Sequence, residues 1–264
     1  MTDREYQEDF YTLYEDFRDE QLRLGKAEKS LRSLRGFSGR ELSELNCLDI
    51  GCSNGIFTRY LATSFRSMVG IDYDRTAIFM VPKEDRERIL FLRGDAMRMP
   101  FPDESFEAVI CAQVYEHVPN DLRLFAEMYR VLKPGGVAFF SGPNKVFPIE
   151  PHYYLPFLHW LPEKTADAYL RLLRKGTHFY ERSRTPRNLR KVLQGFDIRD
   201  VTLPVLRLYA EQAKSPRARW AYRVAAKLPV WLWRAFLLTF VPNFNWVLTK
   251  RVDPKAKQRY EVIP

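Results

Sequence analysis

The chain has 264 residues, enough to bury a full core in one large domain with helical additions. Hydrophobic residues make up 46% and aromatics 14%, which excludes a largely disordered chain; the three scattered cysteines Cys47, Cys52 and Cys111 read as buried thiols. The net charge of +9 is uneven, because residues 1–170 hold 21 Lys/Arg against 27 Asp/Glu while residues 171–264 hold 21 against 6.

In chain order, residues 4–35 lack proline and space Tyr6, Phe10, Leu13, Phe17, Leu24, Leu31 and Leu34 helically, predicting one or two amphipathic helices ended by Gly36–Gly39. No apolar signal core opens the chain, so a cytoplasmic setting is the expectation. Short apolar runs follow at Cys47–Ile50, Ser67–Ile71, Ile89–Arg93, Ala108–Ala112 and Val137–Ser141. Helical patterns such as Ile56–Ser64 and Leu122–Leu132 fall between them. Strands that do not alternate polar with apolar, separated by helices, predict an α/β fold with a doubly wound, mostly parallel sheet. Past Ser141, five prolines between Pro143 and Pro162 break an aromatic segment. A helix is predicted at Pro186–Leu193, a strand at Phe196–Leu206, helical pattern over 211–240 and a last strand at Trp246–Val252.

The chemistry concentrates where the first strand runs into Gly51-Cys52-Ser53-Asn54-Gly55. Small residues at 51, 53 and 55 allow a sharp turn and close approach of a ligand to the backbone, with the N-terminus of the next helix aimed at it. About 20 residues on, the second strand ends in Asp72, a carboxylate placed to accept ribose hydroxyls. The third strand ends in Gly94-Asp95-Ala96, and Lys133-Pro134-Gly135-Gly136 leads into the fifth. The turn lacks the G-x-G-x-x-G spacing of a dehydrogenase.

These blocks resemble those of the class I S-adenosylmethionine methyltransferases, specifically the type 11 group that includes quinone-biosynthesis enzymes. The matching residues are LDIGCSNG (48–55), VGID (69–72), GDAMRMPFPDESFEAVI (94–110), EHV (116–118) and RVLKPGG (130–136), with looser echoes at 195–201 and 245–251. The resemblance implies a Rossmann-like, seven-stranded sheet binding S-adenosyl-L-methionine. It places Asp49, Gly51, Ser53 and Gly55 around the methionine moiety, Asp72 at the ribose, Asp95 and Ala96 at the adenine, and Gln113 near the amino-acid end. Asp49 serves equally as a brace for the loop through hydrogen bonds. Ser53 departs from the family's usual glycine. The implied layout is one methyltransferase domain over 1–264, with a helical cap (1–40), a cofactor core (45–142), an aromatic lid (143–182) and a basic, apolar helical insertion (207–245).

On the acceptor side, His117 and His152 are the catalytic candidates if a hydroxyl must lose its proton. His117 follows the fourth strand on the ligand-binding edge, and His152 sits in the segment that would cover the cleft. His178 ranks below them, His159 reads as packing, and no metal is expected because the histidines show no ligand spacing. Within the basic third, Arg219, Arg223 and Lys227 form one helical stripe and Trp220, Val224 and Leu228 another, suited either to a membrane interface or to a solvated face over a buried helix. The run Val230–Val241 is too short to span a bilayer. The expectation is therefore an enzyme that O-methylates a small hydrophobic or lipid-linked acceptor, with peripheral membrane contact through residues 217–241. An RNA methyltransferase and a non-enzymatic scaffold that keeps the fold are the alternatives.

Overall fold

In the computed structural model, which describes residues 7–8, 10–13, 19–212, 216–235 and 237–252, seven strands form one sheet in the order β3-β2-β1-β4-β5-β9-β8. The strands are β1 (Asn46–Ile50), β2 (Ser67–Asp72), β3 (Leu90–Arg93), β4 (Phe106–Ala112), β5 (Leu132–Pro143), β8 (Phe196–Asp200) and β9 (Asn243–Lys250). A separate two-stranded hairpin, β6 (Ile149–Glu150) with β7 (Leu155–Pro156), follows β5. Strands β1 to β5 pair in parallel, and β9 runs antiparallel to both β5 and β8. The expected doubly wound, mostly parallel sheet is thus present.

Helices described are α1 (Phe10–Leu13), α2 (Glu20–Phe37), α3 (Ile56–Ala62), α4 (Arg75–Phe79), α5 (Lys83–Arg86), α6 (Asp121–Val131), α7 (Glu163–Leu172), α8 (Pro186–Val192), α9 (Thr202–Gln212), α10 (Pro216–Lys227) and α11 (Val230–Ala235). Their starts follow local chemistry. The Asp19, Asp74, Asn120 and Thr185 side chains accept the N–H groups of Leu22, Ala77, Arg123 and Asn188, satisfying donors that a helix leaves open.

Both faces of the sheet are covered, which is why its strands read as continuous apolar runs. Along β4, Val109 and Cys111 pack with Phe125, Met128 and Phe140 on one side. Ala108 and Ile110 pack with Leu31, Leu34, Phe57 and Leu61 on the other. Chain order reverses between β1 and β4, so their carboxyl ends diverge and leave a crevice there.

One expectation changes. The run expected as a strand from Phe196 to Leu206 leaves the sheet after Asp200 and becomes helix α9. Pro204 cannot donate to a ladder, and Val201 and Val205, one turn apart, are buried against α2. The region expected to be helical in pattern, 211–240, holds α10, α11 and a 3₁₀ turn at Leu237–Phe240. Of the N-terminal pattern, Tyr6 and Phe17 lie outside the described residues.

Candidate cofactor and acceptor site

The crevice at the ends of β1 and β4 is a cavity walled by the ends of four strands. Gly51 and Ser53 come from the turn after β1, Asp72 and Asp74 from β2, Asp95 and Ala96 from β3, and Gln113 and His117 from β4. Helix α2 adds Arg23 and Lys26, and the N-terminal segment adds Gln7, Phe10 and Tyr11.

The turn itself demands unusual backbone. Gly51 (φ 76°), Ser53 (φ 52°) and Gly55 (φ 80°) all occupy the left-handed region, where a side chain is penalised. A Cβ on Gly51 would also stand 2.5 Å from a Val114 methyl group. Asp72 locks the loop: its Oδ2 accepts the Ser53 N–H at 2.7 Å and its Oδ1 the Asp74 N–H at 2.9 Å. Burial pushes the Asp72 carboxyl up to about 6, although both N–H donors favour its ionised form. Asp49 accepts from the Thr58 hydroxyl at 2.6 Å, and burial raises it further, to about 7. Asp95 Oδ1 accepts the Met97 N–H at 2.9 Å, so the residue braces its own turn as well as lining the cavity.

Gln113 also sits at positive φ, 61°, its N–H donating to Ser141 and its amide reaching Ser141 Oγ (3.3 Å) and Asn243 Oδ1 (3.4 Å). Sequence reasoning expected a helical cap at residues 1–40 but not the residues that fasten it. Tyr11 donates its N–H to Asp74 Oδ2 at 2.7 Å, and Gln7 Nε2 donates to the His117 carbonyl at 3.1 Å, fastening the N-terminal segment over the cavity. Buried Arg23 was missed as well, because an arginine in an amphipathic helix reads as a solvated face; burial lowers its pKa while Asp49 and Asp72 oppose that.

Behind the cavity lies a group of buried ionisable side chains. The His117 ring lies between the Phe10 ring (centroids 4.5 Å) and the His152 ring (4.9 Å, edge-on). Burial, then the charges of His152 and Lys26, hold His117 well below its usual value, so it is neutral. His152 Nδ1 lies 2.7 Å from Glu150 Oε1. Burial disfavours the His152 imidazolium, but that hydrogen bond and the charges of Glu181, Glu150 and Glu116 outweigh it and bring the pKa to about 9. Glu116 is fully buried with neither carboxylate oxygen hydrogen-bonded, and burial lifts it to about 7. One donor atom each from Glu116, His117 and His152 lie within 4.8 Å of one another, a grouping able to share one cation that the sequence spacing did not reveal. The other two histidines sit apart: His178 pairs with Asp167 at 2.9 Å, and buried His159 meets the Phe147 carbonyl through Nε2 at 2.7 Å.

Comparison with known proteins agrees with this geometry. Residues 48–140 match the family model described as a methyltransferase domain. Over 99 residues the chain is 33% identical to a probable S-adenosylmethionine-dependent methyltransferase of Mycolicibacterium smegmatis, covering 38% of each chain. It is 29% identical over 163 residues to the ubiquinone biosynthesis O-methyltransferase of Pseudomonas entomophila, covering 58% of this chain and 65% of the relative. The chain thus spans less than two thirds of the length of these relatives. Geranyl diphosphate C-methyltransferase from Streptomyces coelicolor, solved with S-adenosyl-L-homocysteine, shares the fold at a TM-score of 0.51 and 19% identity, over 88% of this chain and 80% of that one. Residues 48–140 thus form a methyltransferase domain, and the relatives that match it support S-adenosylmethionine as its methyl donor.

Proposed function

We propose that the protein transfers a methyl group from S-adenosylmethionine to an oxygen on a small hydrophobic or lipid-linked acceptor, in one domain whose cap, lid and insertion enclose the acceptor. The cavity suits the cofactor's charges, since buried Asp49 and Asp72 face a group carrying a sulfonium and an ammonium. Gly51, Ser53, Gly55 and Asp49 surround the methionine end, with Gln113 beside it and Arg23 facing its carboxylate. Asp72 accepts the ribose hydroxyls, and Asp95 with the Ala96 backbone meets the adenine edge. When bound, the cofactor supplies an electrophilic methyl group, and the protein's part is to align a nucleophile with it and keep water out.

The observation that carries the oxygen reading is neutral His117 on the cavity wall, with the buried ionisable group behind it. A hydroxyl nucleophile must lose its proton on methylation, and a neutral imidazole within reach can take it. Neutral His117, which lines the cavity, receives the acceptor proton. His152, oriented by Glu150, is a positioning residue that sets the charge beside it. The ubiquinone O-methyltransferase relatives support the same acceptor class.

Tritiated S-adenosylmethionine incubated with the protein and separate pools of phenolic lipids, amines and water-soluble metabolites tests the reading. Base-stable label in the phenolic lipid pool, lost in His117→Ala, is the expected result. Label confined to amines would overturn the oxygen assignment.

A further inference from the structure

Residues 201–242 are inserted between β8 and β9, two adjacent antiparallel strands that a tight turn could join. The insertion leaves the sheet at the edge where the cavity opens. Asn243 pairs with Pro143 at the end of β5, and its side chain is held by cavity-lining Gln113 at 3.4 Å. Asn144 clamps the returning chain by donating to the carbonyls of Thr239 (2.8 Å) and Val241 (2.9 Å). At its other end, Val201 and Val205 are buried against Leu31 and Leu34 of α2. Buried Trp233 donates its Nε1–H to the Ala225 carbonyl at 3.0 Å, tying α11 to α10.

Anchored in this way, the insertion still leaves large apolar side chains in water. Trp220 is 69% exposed, Trp231 67% and Phe240 57%, with Val224 and Val230 also exposed. Arg223 and Lys227, one helical turn apart, are exposed beside them. The lid on the other side of Asn144 shows the same character through exposed Tyr154, Phe157 and Trp160. Singly scattered apolar residues are ordinary, but a run of aromatics interleaved with cations is not.

We propose that this face, formed by α10, α11 and the following 3₁₀ turn, docks on an anionic lipid bilayer and presents the cavity mouth to it. The proposal rests on the lipid-acceptor reading for its purpose and on separate observations for its geometry. Tryptophan places an apolar ring and a polar N–H across a lipid–water boundary, and arginine and lysine beside it meet headgroup phosphates. The charge of this part of the chain is complementary: residues 171–264 carry 21 Lys/Arg against 6 Asp/Glu. Among the described residues no helix is long and apolar enough to cross a membrane, so the contact lies on the surface. Nucleic acid fits less well, because exposed Val224 and Val230 interrupt the charged groups that a phosphate track needs.

The test is sedimentation of the full chain with vesicles of phosphatidylcholine alone, vesicles containing phosphatidylglycerol, and polyuridylate in a parallel arm. Binding is expected to the phosphatidylglycerol vesicles, weakening with salt. It should fall at least tenfold in Trp220→Ser/Trp231→Ser and in Arg223→Glu/Lys227→Glu. Both variants should keep the wild-type melting temperature and calorimetric affinity for S-adenosylmethionine. No vesicle binding, vesicle binding unchanged in both variants, or polyuridylate binding that outlasts the loss of both tryptophans would each overturn the proposal. Methyl transfer to a soluble phenol is read separately. Vesicle binding without transfer sinks only the functional reading, and transfer without vesicle binding sinks only the docking surface.

Discussion

Glu150 holds His152 at two points: Oε1 lies 2.7 Å from the ring Nδ1, and Oε2 accepts the His152 backbone N–H at 2.9 Å. Fully buried Glu150 also accepts the Tyr153 N–H at 2.8 Å, so one carboxylate fixes both the loop and the ring beside His117. Glu150→Gln removes the charge that favours the imidazolium, and the pKa of about 9 should fall. With neutral His117 as the base, methyl transfer is expected to rise as His152 loses its proton near 9 and its charge no longer holds the His117 pKa down, a rise that should move to lower pH in the variant. His117→Ala should lower kcat by about 10² to 10⁴-fold with little change in cofactor affinity. A rate that is flat from pH 6 to 10 would show that the His152 charge does not act on the base.

The same pair makes a stability prediction with a definite sign. Because His152 is raised from 6.5 to about 9, its contribution is present in full below pH 6.5 and is lost as pH rises through 9. The melting-temperature gap between wild type and Glu150→Gln should therefore close on the alkaline side. A gap that persists unchanged to pH 10 would show that Glu150 acts only through the loop.

Asp49 and Asp72 link cofactor binding to protons. Both are raised by burial, to about 7 and about 6, so the stability that their protonated forms lend the free protein is present at low pH and lost as pH rises through those values. A cationic ligand lowers both pKa values, so binding should release protons near pH 6 to 7 and weaken as pH falls below 6. Calorimetry in buffers of different ionisation enthalpy reads the release directly. Asp72→Asn should cost about 1.5–3 kcal/mol of binding, a hydrogen bond to a charged group, at unchanged secondary structure.

Chelation separates two uses of the Glu116, His117 and His152 grouping. If these side chains handle the acceptor proton, activity should survive EDTA. Loss of activity on chelation, restored by magnesium or manganese, would make the grouping a cation site.

Ser53 holds φ 52° where the resemblance led us to expect glycine. Ser53→Gly relieves that strain and should raise stability by about 0.5–1 kcal/mol, a gain of about 1–4 °C in melting temperature for a chain of this size. A lower melting temperature would mean that the serine side chain contributes more than its backbone costs.

The sheet was legible because parallel strands buried on both faces show as apolar runs, and Leu48–Ile50, Val109–Cys111 and Ala138–Phe140 are such runs. The cofactor loop was legible because only small residues fit where Gly51 meets Val114. Arg23 and Tyr11 escaped notice because their placement depends on how the N-terminal helices cross the sheet edge, which periodicity does not encode. Nothing in the sequence singles out Glu150. Its meaning comes from burial, and burial in a proline-rich segment is a tertiary property. The run after Phe196 misled because valine and leucine suit either state, and contact with α2 decided for helix.

The insertion also bears on how the chain is put together. Asp200 and Trp246 are cross-strand partners, so the two ends of the excursion are a hairpin's width apart. Closing a loop of about 40 residues rather than about 4 costs roughly 2 kcal/mol of extra chain entropy. The sheet does not require that excursion, because a short turn from Asp200 to Asn243 would leave every strand pairing intact. Residues 206–242 therefore behave as a graft, expected to be removable with the cofactor core still folded. A graft that a fold retains against its own closure entropy is kept for what it touches outside the sheet.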